Sequence, residues 1–145
     1  MGKTIEYGNL IRHKNAISQL IIYWTRTENL PLQPVSISKI LSEELQRISP
    51  RSRTMRLATC FQTVLAQYPD SVVIKDIDVM FNPAYQVDVL KILTEARKNK
   101  PYSVIWPGRY ENGTLYYSEQ GYLDYKTFEV KNYDIICVIL GGNAK

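Results

Sequence analysis

The sequence predicts one three-layer α/β domain with a mainly parallel sheet and a C-terminal β-hairpin. Three observations predict it. Apolar runs at 71–74, 102–106 and 134–140 are too short for helices and rich in Val and Ile, as buried strands of a parallel sheet are. The first two flank a stretch in which Val87, Leu90, Leu93 and Ala96 recur at three- and four-residue steps. Strand, crossover helix, strand is the unit of a parallel sheet, so Val72–Lys75, 104–106 and 135–139 are expected to be central. After Gly108 the helical pattern stops, and Asn112-Gly113 sits between two short strand-like runs, a hairpin signal.

Residues 5–18 place Ile5, Leu10, Ile11, Ala16 and Ile17 at roughly helical spacing, with Gly8 weakening the pattern. Residues 19–24 read as a first strand or as an extension of that helix. Pro31 and Pro34 keep the next segment extended, with 32–36 as a short strand or a lead-in. An amphipathic helix at 38–48 has Ile40, Leu41, Leu45 and Ile48 on one face. Ser49-Pro50 starts the next, Ser as cap and Pro in the first turn, and it runs to about Tyr68 on Leu57, Phe61, Val64 and Leu65. Asn82-Pro83 starts the crossover helix. Residues 127–130 and 134–140 are further strands, the last apolar enough to be central. The domain is assigned to 1–145, with the segment 1–29 left open between readings.

No apolar run approaches the roughly 18–20 residues of a membrane span, and no signal peptide is visible. A cytoplasmic protein is the expectation. Cys60 and Cys137 are the only cysteines, with no CxxC spacing and only His13 to join them. That pattern predicts two buried free thiols and no metal site. The net charge of +4 and pI near 9.0 permit an acidic partner such as nucleic acid without demanding one.

Four features can bear chemistry. Val72–Lys75 leads into Asp76 and Asp78, and in nucleotide-binding P-loop proteins a carboxylate at such a strand end holds the magnesium of the nucleotide. The plain alternative is two acids leaving a buried strand for water. Gly2-Lys3-Thr4 matches the tail of GxxxxGK[ST] without the strand and most of the loop that give the motif its phosphate-binding N–H groups. Arg51, Arg53 and Arg56, close to Arg47, crowd a helix start, where they oppose the dipole, so something negative is expected to face them. Arg97, with Lys98 and Lys100, forms a basic helix end of the kind the dipole favours, with a trans-acting arginine that contacts phosphate as the alternative. Trp106, Tyr110, Tyr116, Tyr117, Tyr122 and Tyr125 can stack bases or pack across strands. No catalytic constellation can be assembled.

Several segments occur in an order that resembles one family. They are LPLQPVSISKILSEEL, PRSRTMRL, VVIKDIDVMFNP, LTEARKNK, VIWPGRYENGTLYY and GYLDY, covering roughly three quarters of the chain. From about Leu30 onward the chain is similar to the BrxF family, small P-loop proteins of type-three BREX (bacteriophage exclusion) defence systems. The resemblance implies a P-loop-like fold and partners among other defence proteins. It also implies a P-loop between a first strand and its helix, yet no glycine follows residues 19–24 before Gly108. Aligning on IDVMF puts Lys75 at a metal-binding acid's place, with Asp78 second and Asp76 as substitute. Three readings follow: a non-catalytic P-loop-like interaction subunit, a genuine ATPase cut short at its start, or a small basic nucleic-acid-binding module. Only the second calls for ATP and magnesium, held by Gly2, Lys3, Thr4, Asp76 and Asp78. The third uses the arginines and tyrosines. A homo-oligomer is compatible with any of them.

Overall fold

The computed structural model describes residues 2–8, 18–25 and 32–140. The expectations for Leu10, Ile11, His13, Ala16 and Ile17 fall outside those residues, as does the segment 26–31. In chain order the strands are β1 (Lys3–Glu6), β2 (Leu20–Thr25), β3 (Val35–Ser36), β4 (Val72–Lys75), β5 (Tyr102–Ile105), β6 (Arg109–Glu111), β7 (Thr114–Tyr117), β8 (Lys126–Glu129) and β9 (Ile135–Leu140). The helices are α1 (Ser38–Gln46), α2 (Arg53–Leu65) and α3 (Val89–Arg97). Six strands form one sheet in the order β1-β9-β2-β5-β4-β3, and every neighbouring pair is parallel. The other three form an antiparallel sheet, β6-β7-β8.

β9 shows why its sequence reads as an unbroken apolar run. Ile135, Cys137 and Ile139 pack with Leu41, Phe61 and Leu93 of the helices. Ile136, Val138 and Leu140 meet Tyr23, Ile5, Tyr7 and Leu32 on the opposite face. All six residues are buried, so no polar side chain has a place in the strand. The direction of the connections explains the layering. From β3 through β4 to β5 the chain steps across the sheet with α1, α2 and α3 on one face. From β2 to β3 it runs the other way, and Leu32 of that connection packs on the second face. Crossovers of one hand that travel in opposite directions must lie on opposite faces.

Four expectations change on this scaffold. Ile5 lies in β1, not in a helix: the edge of β9 offers that segment a ladder from Lys3↔Ile136 to Glu6↔Ile139. Ser49 makes no side-chain cap, and Pro50–Ser52 form a 3₁₀ turn before α2 begins at Arg53. The crossover helix starts at Asp88, whose carboxylate accepts from Lys91 N, and not at Asn82. Asn82 caps only the 3₁₀ turn Pro83–Tyr85, and Gln86 then takes the left-handed conformation, φ 51°, which a helix cannot continue through. The hairpin forms as read, with Asn112 and Gly113 both at positive φ, the geometry that matches strand twist, but β8 extends it to three strands. Cys60 and Cys137 are buried free thiols. Burial alone pushes the Cys137 thiol up to about 12, which rules it out as a nucleophile at neutral pH.

Candidate functional site

Because the strands of the large sheet are parallel, their carboxyl ends share one edge, where open sheets of this kind bind ligands. The register Ile74↔Val104 continues to bring Asp76 level with Trp106. Trp106 in turn donates its backbone N–H to Tyr23 O at 2.8 Å. Asp76 therefore stands at the edge two strands from the end of β2, about 10 Å by strand spacing. Its left-handed φ of 62° turns the chain off β4, a conformation that Asp tolerates better than most residues. Ile77, Met80 and Phe81 are buried and pull the following loop back onto the core.

An aromatic block seats that loop. The Phe81 ring stacks on Tyr117 at 3.8 Å and 8°, and meets Trp106 edge-on at 5.7 Å. Phe128 of β8 closes the group against both. Trp106 Nε1–H donates to Tyr116 O at 3.0 Å and Trp24 Nε1–H to Gly108 O at 3.1 Å. These two bonds tie the small sheet to β2 and β5. The Tyr110 ring lies 5.8 Å from Trp24, and the Arg109 guanidinium sits over its cross-strand partner Tyr116. The aromatic set is thus packed mainly across strands and on the core; only Tyr122 points fully outward.

Two aspartates of the loop are already engaged. Asp78 Oδ2 accepts from the Tyr117 hydroxyl at 3.0 Å. Burial, and then the Asp78 bond and charge, hold that phenol well above its usual range. Asp88 Oδ2 accepts from the Tyr133 hydroxyl at 2.8 Å while its Oδ1 caps α3 through Lys91 N. Tyr133 is pushed up to about 12, by burial first and by Asp88 next. A raised folded-state pKa stabilises the fold fully below the unfolded value of about 10 and loses that contribution as pH rises through the folded one. Tyr133→Phe is accordingly expected to unfold with a flatter pH dependence between about pH 10 and 12 than the parent. Urea titrations across that range check it; equal slopes for the two proteins count against the Tyr133–Asp88 pair.

Gly2-Lys3-Thr4 lies elsewhere. Gly2 precedes β1 at the amino edge, while Lys3 and Thr4 are strand residues paired with Ile136 and Cys137 and level, through β9, β2 and β5, with Val73 and Ile74 of β4, four strands across the sheet from Asp76. Thr4 Oγ1 accepts from the Tyr110 hydroxyl at 3.1 Å. A Cβ on Gly2 would lie 1.9 Å from Val130 O, so glycine is needed there for close backbone approach and not to cradle phosphate. Arg97 ends α3, half-buried, and also lies towards the amino edge, beside Gln19 and Asp134. The two halves of the nucleotide site read from the sequence do not meet.

The arginine cluster divides as well. Arg53 Nε donates to Leu45 O at 2.8 Å and Ile48 O at 3.1 Å. The negative partner expected for this residue is thus the carbonyl end of α1. Arg51 and Arg56 are exposed and form no ion pair among the described residues. Arg53→Ala is expected to cost about 1–3 kcal/mol by stranding those carbonyls, and Arg51→Ala or Arg56→Ala about 0.5 kcal/mol or less. Urea midpoints decide it: equal losses in all three would show that Arg53 is no cap.

Among the described residues no three His, Cys, Asp or Glu side chains gather as a metal site. Asp76 and the second oxygen of Asp78 are the carboxylates at the edge that a magnesium ion can reach. With no phosphate-binding loop beside them among the described residues, they hold such an ion only weakly. Magnesium nucleotide does not fit the described residues. No helix among them is long and apolar enough to cross a membrane. No family model matches the chain, and neither a curated protein nor a solved structure matches it.

Proposed function

We propose that this chain is a non-catalytic, P-loop-like subunit of a bacterial BREX-type phage-defence assembly, acting through protein–protein contact. The BrxF-like order of segments supports the family reading, and the parallel sheet with acids at a strand's carboxyl end supports a P-loop-like scaffold. The observation that supports loss of catalysis is the separation of Gly2-Lys3-Thr4 from Asp76 and Asp78, with β9, β2 and β5 lying between β1 and β4. The sequence after β2 adds to it, because no glycine that could form a phosphate loop occurs between β2 and Gly108. Consecutive N–H donors aimed at phosphate are what a P-loop supplies, and β1 spends its backbone on pairing with β9.

Calorimetry with magnesium and ATP tests the reading directly. The expected result is no binding heat, and no phosphate release in a coupled assay. Micromolar binding abolished by Asp76→Ala would replace this proposal with the genuine-ATPase reading. Binding to the partner assembly is the second half of the test. Co-purification of the tagged chain with other defence proteins, unaffected by Asp76→Ala, is expected of an interaction subunit.

A further inference from the structure

Ser103 of β5 is a small residue between two larger ones. The register aligns it with Ile21 of β2 on one side and Val73 of β4 on the other. Both of those pack on the second face of the large sheet, as does Leu32. A hydroxymethyl group between two branched side chains leaves a hollow in that face. The hollow belongs to a cavity of about 350 Å³, lined also by Leu32, that reaches the amino edge at Gln19, Ser71 and Arg97. Pockets for small ligands run from about 300 to 1,000 Å³.

The one charge that lines this cavity among the described residues is Arg97. It is half-buried and makes no ion pair with any of them. The dipole of α3 favours a cation at that helix end, but it supplies no acceptor for the five N–H donors of a guanidinium. The last carbonyls of α3 take backbone donors instead: Glu95 O accepts from Lys98 N, and Ala96 O from Asn99 N and Lys100 N. Two acids, Glu95 and Asp134, line a neighbouring cavity that shares Arg97 and Gln19. Glu95 is paired with Lys98, and Asp134 is exposed. One end of the cavity on the second face is thus cationic, and its floor is aliphatic.

We propose that this cavity binds a small carboxylate with an aliphatic stem. The carboxylate meets the Arg97 guanidinium, and the stem lies in the hollow over Ser103, between Ile21 and Val73. A planar guanidinium takes a carboxylate through two parallel N–H···O bonds, so the charged end fixes the orientation. Gln19 and Ser71 add neutral donors beside it. The inference is independent of the nucleotide reading, because the cavity includes neither β1 nor the loop that carries Asp76 and Asp78.

Titration of the full chain, nitrogen-labelled for NMR, with sodium hexanoate at fixed ionic strength is the test. The expected result is saturable movement of the amide signals of Gln19, Ile21, Ser71, Val73 and Ser103. Arg97→Gln should weaken binding about tenfold or more by removing a charge-assisted pair. Lys98→Gln removes an exposed cation of the same helix end and should change binding by about twofold or less. Ser103→Val fills the hollow and should weaken binding as well. Hexanol has the same stem without the charge, so it should bind about tenfold or more weakly than hexanoate; that comparison needs no variant to fold. Shifts that never saturate, or that saturate only at other residues, would overturn the proposal. So would hexanol binding as well as hexanoate, or equal losses for Arg97→Gln and Lys98→Gln.

Discussion

Phe81→Ala is expected to destabilise the protein by about 3–5 kcal/mol, the range for emptying a buried aromatic site. The Phe81 ring contacts Trp106, Tyr117 and Phe128, so three elements lose packing at once: the loop after β4, the end of β5 and the small sheet. The cavity cannot close easily, because two of its walls are pinned strands. Phe81→Leu keeps most of the volume and should cost clearly less. Asp76→Ala, at an exposed position a few residues upstream whose left-handed φ of 62° suits Asp better than Ala, should cost only about 1 kcal/mol. Urea unfolding of the three variants provides the comparison. A loss below about 1 kcal/mol for Phe81→Ala would mean that the loop does not depend on the aromatic block.

Gly108→Ala is expected to cost about 3 kcal/mol or more, combining overpacking with broken buried hydrogen bonds. A Cβ at Gly108 would lie 1.9 Å from Tyr116 O and 3.1 Å from Trp106 Nε1. The first of these is a backbone oxygen that already accepts the Trp106 indole N–H. Moving β7 to make room would also disturb the bond from Trp24 Nε1–H to Gly108 O. The protein has two tryptophans, both in this arrangement, so intrinsic fluorescence reads the site directly. The expected signature is a red-shifted native spectrum together with a lowered melting temperature. An unshifted spectrum with parental stability would show that the small sheet can slide off without cost.

The candidate edge was partly legible in the residues. Val72–Lys75 followed by Asp76 and Asp78 pointed to a strand end with acids, and Trp106-Pro107-Gly108 to a neighbouring one. The register between β4 and β5 puts them side by side. Phe81 was not legible as the centre of the block, because its partners Tyr117 and Phe128 come from a sheet far along the chain and share no periodicity with it. The role of Arg53 was hidden for a similar reason. A guanidinium that caps carbonyls eight and five residues earlier has the same sequence signature as one that waits for a phosphate.

What the sequence determined by itself is the class of the fold and the identity of most of its elements. Apolar runs of four to six residues and a three-to-four-residue period are local signals, written wherever a strand must be buried on both faces or a helix on one. The Asn112-Gly113 turn is equally local, since the conformation it needs is set by those two residues. Tertiary structure alone decided that Lys3–Glu6 is a strand, because the edge of β9 supplies its hydrogen bonds. It alone placed β2 in the interior of the sheet and put Lys3 and Thr4 in the edge strand β1, four strands from β4 and Asp76. Strand order and the edge at which a motif falls depend on which distant segments pair. The free energy of that pairing lies in contacts that no window of neighbouring residues contains.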